Sequence, residues 1–99
     1  MKNNKIKIHN IFQMQREQAY KKFVDSKQIM SVREYNESYG FCDPEYHNGL
    51  VIVYDGLFHI EVESNGFHLC LGNEEYKVLD ASELPILEDR LFDWVVDHA

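Results

Sequence analysis

The sequence predicts an α+β fold: an N-terminal helix or pair of helices, an antiparallel meander of three or four strands, and a C-terminal helix packed on one sheet face. Asp55-Gly56 and Asn65-Gly66 carry the middle of this reading. Each lies between runs rich in β-branched and aromatic residues, and such pairs supply the positive φ that tight hairpin turns need. Apolar residues at helical spacing on either side carry the rest. With 99 residues and 44% hydrophobic content, the chain is expected to form one domain, residues 1–99, around one core.

The front of the chain reads as helix. Asn10 followed by Gln13 resembles a capping box, and Phe12, Ala19, Tyr20, Phe23 and Val24 then recur at helical spacing, which predicts a helix over residues 11–27. Ser31 with Glu34 repeats the capping pattern, and Val32, Tyr35 and Tyr39 follow at i, i+3 and i+7. Gly40 would close that short helix, with a strand over residues 29–32 as the competing reading. Asp43-Pro44 and Asn48-Gly49 mark residues 41–49 as loop.

Two-residue turns at both Asx-Gly pairs would fix the strand registers. The first places Val53 opposite Phe58 and Val51 opposite Ile60; the second places Glu63 opposite His68 and Glu61 opposite Cys70. One face then collects Val51, Val53, Phe58, Ile60, Val62, Phe67, Leu69 and Leu71. The other collects Leu50, Ile52, Tyr54 and Leu57 at one end and His59, Glu61, Glu63, His68 and Cys70 at the other. A fourth strand is expected over residues 76–79. Ser82 is the expected cap of the last helix, with Pro85 in its first turn and Leu84, Leu87, Leu91, Trp94 or Val95, and His98 as its apolar stripe.

Charge divides the chain. The net charge is −7. Up to Arg33 there are eight cations against two acids, and from Glu34 onward fifteen acids against two cations. A general nucleic-acid binder would carry the opposite balance. The longest apolar run, Leu50 to Tyr54, is far too short to span a bilayer, and no apolar stretch follows the basic start as in a signal peptide. Two cysteines, Cys42 and Cys70, form no Cys-x-x-Cys pair and fall short of a disulfide scaffold, which points to the cytoplasm.

Catalysis is not expected, and neither is a cofactor. There is no Gly-x-Ser-x-Gly elbow, P-loop or dinucleotide fingerprint. The expected function is non-catalytic binding to a basic protein surface, such as that of a nucleic-acid-binding enzyme, with carboxylates standing where phosphates would lie. Asp89, Asp93 and Asp97 carry this expectation, because like charges at i, i+4 and i+8 cost a helix stability. Glu88, Glu74, Glu75 and Tyr54 complete the expected partner-binding set, tyrosine being enriched at interfaces. The bland alternative is that the basic front lies against the acidic body and neutralises it. A basic helix bearing Arg16, Lys21 and Lys22 could instead touch a polyanion, but the acidic body would repel it.

Two further readings follow from the sheet. His59, Glu61, Glu63 and His68, with Cys70, would lie together as a metal-binding or acid–base site, because imidazole, carboxylate and thiolate are all zinc ligands. His59, Glu61 and His68 are the expected metal ligands. Leu50, Ile52, Tyr54 and Leu57 would form an apolar patch able to pair with a second copy, giving a homodimer.

Overall fold

A computed structural model describes residues 15–38 and 49–98. The capping pair Asn10 and Gln13, Phe12, the expected helix-end residues Tyr39 and Gly40, Cys42 and most of the expected 41–49 loop lie outside the described residues.

The chain runs through α1 (residues 15–25), β1 (Gln28–Ser31), α2 (Val32–Ser38), β2 (Leu50–Tyr54), β3 (Phe58–Glu63), β4 (Gly66–Leu71) and β5 (Glu74–Val78). A 3-10 turn (Ala81–Glu83) then leads into α3 (Leu84–Asp97). The fold is α+β, as expected, and its five strands form one antiparallel sheet in the order β1-β2-β3-β4-β5. That is one strand more than the predicted maximum of four. The addition is β1, which pairs with β2 from Gln28↔Val53 to Ser31↔Leu50. Ser31 both ends this strand and caps the next helix: its Oγ accepts from the Glu34 amide at 3.1 Å. Strand and helix are therefore consecutive where the sequence offered them as rivals.

The first hairpin makes the expected turn but shifts the expected register. Asp55 and Gly56 both have positive φ, 54° and 71°, and the Leu57 amide donates to the Tyr54 carbonyl at 3.1 Å, which is the geometry of a type I′ turn. Leu57 is then inserted as an extra residue, so Tyr54 pairs with Phe58, and Ile52 with Ile60. A one-residue slip turns every side chain of β2 over relative to β3. Ile52 and Tyr54 join Phe58, Ile60, Val62, Phe67 and Leu69 in the main core, whereas Val51 and Val53 pack with Val32 and Tyr35 of α2 in a second cluster. The dimer patch expected at Leu50, Ile52, Tyr54 and Leu57 is thereby dissolved: Ile52 and Tyr54 are buried inside the chain, and only Leu50 and Leu57 stay exposed.

The second hairpin slips by two residues, which preserves the faces. Glu61 faces His68, Val62 faces Phe67 and Glu63 faces Gly66, so the loop is Ser64-Asn65. Gly66 is the first residue of β4, with φ 145°. A Cβ there would sit 2.3 Å from the Val78 carbonyl oxygen, so glycine is required by the close approach of β5. The last strand begins at Glu74, two residues before its predicted start, with Leu71 paired to Glu74 across Gly72-Asn73.

α1 and α3 cover the main-core face. Phe23 stacks on Tyr54 with ring centroids 5.2 Å apart and packs against Phe92 at 5.4 Å. Leu87, Leu91 and Phe92 are the buried apolar residues of α3, with Leu84 and Val95 packed beside them. His98 is exposed and stacks on Trp94. Pro85 takes its expected place in the first turn. Ser82 does not cap the last helix: its N-cap is Glu83, with no side-chain cap bond, while the Asp80 carboxylate accepts from the Ser82 amide at 3.3 Å and opens the preceding 3-10 turn. No helix among the described residues is long and apolar enough to cross a membrane.

Candidate functional site

α2 covers only the β1–β2 end of the second sheet face, through Val32, Tyr35, Val51 and Val53. Farther along that face, strand alternation sets out His59, Glu61 and Glu63 on β3, His68 and Cys70 on β4, and Glu75 and Lys77 on β5. His68 is the hub, flanked in register by Glu61 and Lys77. Its Nδ1 lies 3.3 Å from a Glu61 oxygen and 3.5 Å from a Glu63 oxygen, and its Nε2 lies 3.7 Å from Glu75 and 3.8 Å from the Cys70 sulfur. Lys77 donates to the second Glu63 oxygen and to Asn65, both at 3.1 Å. The structure thus assembles Glu61, Glu63 and His68, and adds Glu75 and Lys77, which the sequence reading did not place there. Both entered through the β4–β5 pairing, whose start was set two residues too late.

His59 is tied elsewhere. Its Nδ1 is 3.1 Å from the Tyr35 hydroxyl, which donates to the Leu57 carbonyl freed by the inserted residue. With that proton committed, Tyr35 accepts from Nδ1–H of His59, leaving Nε2 as the lone-pair nitrogen. Burial lowers the His59 pKa, opposed by the nearby Glu61 charge, so the ring favours its neutral form. Its Nε2 is 4.0 Å from Glu61, beyond hydrogen-bond range. Cys70 is exposed, yet burial of its thiol, followed by the charges of Glu61 and Glu75, raises its pKa. That keeps the sulfur protonated and works against a nucleophilic role.

β3 and β4 pair only between Glu61/His68 and Glu63/Gly66. Beyond that ladder a cleft of about 310 Å³ opens, lined by Tyr35, Phe58, His59, Cys70, Leu71 and Trp94 among others.

The expected partner-binding residues divide sharply. Tyr54 and Glu88 are buried at 0% and 3% exposure and belong to the interior. Tyr54 donates to Glu88 Oε2 at 2.6 Å, and Lys27 of the α1–β1 junction reaches the same oxygen at 3.1 Å. Burial, reinforced by Glu88, pushes the Tyr54 phenol well above its ordinary range. Asp93 forms an ion pair with Arg16, whose guanidinium also lies over the Phe92 ring. Asp89 lies near Tyr20, whose phenol is pushed up chiefly by burial and then by Asp89. Asp97 is exposed, as are Glu74 and Glu75, although Glu74 also accepts from the Tyr76 hydroxyl.

No protein-family model matches the chain, nor does any curated protein or solved structure.

Proposed function

We propose that the protein acts by binding, and that its docking surface is the β5 edge with the turn that follows it. The observation that carries this reading is a run of exposed acids over residues 74–83, broken only by the half-buried Tyr76 and the buried Val78. Glu74, Glu75, Asp80 and Glu83 project from ten residues in which Lys77 is the sole cation. Leu79 and Ile86 stand beside them, 72% and 51% exposed. Carboxylates with neighbouring aliphatic side chains suit a partner that is basic and partly apolar; the acids steer and orient it while the apolar groups supply buried area.

Asp89 and Asp93 serve the chain itself by holding α1, so the expected docking row on α3 contracts to Asp97 and gives way to the β5 edge. A basic groove that ordinarily receives phosphates is the surface such an edge would occupy, and an inhibitor by charge mimicry is the corresponding activity. As an edge strand, β5 also offers unpaired backbone groups to a partner strand.

The test is capture from a lysate on immobilised wild type beside the variant E74Q/E75Q/D80N/E83Q. Asp80→Asn keeps a capping side chain, so the fold survives the change. A basic protein retained by wild type at low salt, released as salt rises and lost from the variant is the expected result. Equal retention by both, or retention lost equally in Asp55→Asn at the remote hairpin, rejects the β5 edge as the surface.

A further inference from the structure

We infer that Glu61, Glu63 and His68 form a binding site for one divalent first-row transition ion, zinc being the ion whose geometry fits best. Three donors on two paired strands converge on a point above the sheet. A tetrahedral ion with N and O ligands at about 2.0–2.1 Å has ligand–ligand edges of about 3.4 Å. Glu61 and Glu63 stand 3.3 and 3.5 Å from Nδ1 of His68. Those spacings come from the sheet, because Glu61 and His68 are direct cross-strand partners and Glu63 is the next residue on the same face.

The enclosure of these groups is a separate observation. The side chains of Glu61, His68 and Glu63 are only 16%, 17% and 24% exposed. Two carboxylates mostly withdrawn from water meet one ring nitrogen, which carries at most one proton and cannot serve both. Lys77 reaches only the far oxygen of Glu63, so the two oxygens that face Nδ1 share one proton at most, and a cation between them offsets their repulsion.

One ligand, Glu63, also has an outer partner that orients it, an arrangement typical of metal sites. Lys77 holds the far oxygen of Glu63 and is itself held by Asn65. Glu75 stands 3.7 Å from Nε2 of His68, on the ring edge away from the ion. Cys70 and Glu75 make a second possible triad with Nε2. That grouping is poorer, since Cys70 is exposed and the Glu75 side chain is 72% exposed. The fourth position of the preferred site is open to water.

The experiment is zinc titration of the chelator-treated full chain, read by calorimetric stoichiometry and by thermal unfolding, with cobalt substituted to report geometry by its visible absorption. One ion per chain, a raised Tm and a tetrahedral cobalt spectrum are expected. E61Q/E63Q should weaken zinc at least tenfold while leaving the metal-free Tm unchanged or higher, because it removes like charges without changing shape. His68→Gln should abolish the cobalt spectrum. His59→Gln should leave zinc affinity within threefold, since His59 is not a ligand. The inference is overturned by absence of heat and of any Tm shift. It is equally overturned by one zinc bound unchanged in both E61Q/E63Q and His68→Gln, which would place the ion on other residues.

Discussion

At the scale of single residues, the decisive side chain is Glu88. It sits among apolar neighbours on the buried side of α3, yet it is satisfied by the Tyr54 phenol and the Lys27 ammonium. Removing it leaves a buried hydroxyl and a cation without their acceptor. Glu88→Ala should therefore cost about 2–4 kcal/mol in chemical denaturation. Glu88→Gln keeps an acceptor for Tyr54 and loses only the attraction to Lys27, whose side chain is 40% exposed, so its cost should stay under about 1 kcal/mol. Equal losses for the two variants would show that charge, and not the hydrogen bond, holds this contact. The second informative residue is His59. Its folded pKa lies below the ordinary 6.5, so the unfolded chain takes up a proton that the folded chain refuses. Stability from this group is full above about pH 6.5 and falls as pH drops toward the folded value. His59→Gln should flatten the stability profile as pH falls below about 6.5. An unchanged slope would assign that pH dependence to other groups.

At the scale of elements, glycine has two different tasks in adjacent turns. Gly66 has φ 145° and the Val78 carbonyl pressed against its missing side chain, whereas Gly72 has φ 62° and open space around it. Gly72→Ala should cost about 1 kcal/mol from backbone strain alone. Gly66→Ala should cost about 2–3 kcal/mol, because β5 must also shift. The reverse order in urea midpoints would contradict the close approach of β5. The same hairpins show what a sequence makes legible. Asp55-Gly56 specified its turn correctly, but nothing in Leu57 announced that it would be inserted after it, and that single residue turned β2 over. Asn65-Gly66 misplaced its turn, yet an error of two residues keeps every side chain on its face. Glu61, Glu63, His68 and Cys70 were therefore grouped correctly on a register that was wrong. β1 was legible only as the rival strand over residues 29–32, because its last residue, Ser31, also caps the helix that follows. The burial of Glu88 was not readable either, since only the packing of α3 against Tyr54 and Lys27 gives a carboxylate reason to face inward.

At the scale of the whole molecule, the division between a basic front and an acidic body resolves partly into internal pairing. Arg16 meets Asp93, Tyr20 meets Asp89 and Lys27 meets Glu88, all fastening the α1 region to α3. The exposed Arg16–Asp93 pair adds little stability by itself, but it withdraws two of the α3 acids from any partner together with the Tyr20 contact. Glu74, Glu75, Asp80 and Glu83 stay exposed along β5 and the following turn, and the contacts they make are short-range ones within the sheet and turn. The central claim, a proposal, is that this edge receives a basic partner. The most direct measurement is amide chemical-shift mapping of the nitrogen-15-labelled protein titrated with an oligo-arginine peptide. Perturbations should cluster at residues 73–83, shrink with added salt and spare Asp89 and Asp93. Largest shifts on α3 at Asp89 and Asp93, or shifts spread evenly over the protein, would contradict it.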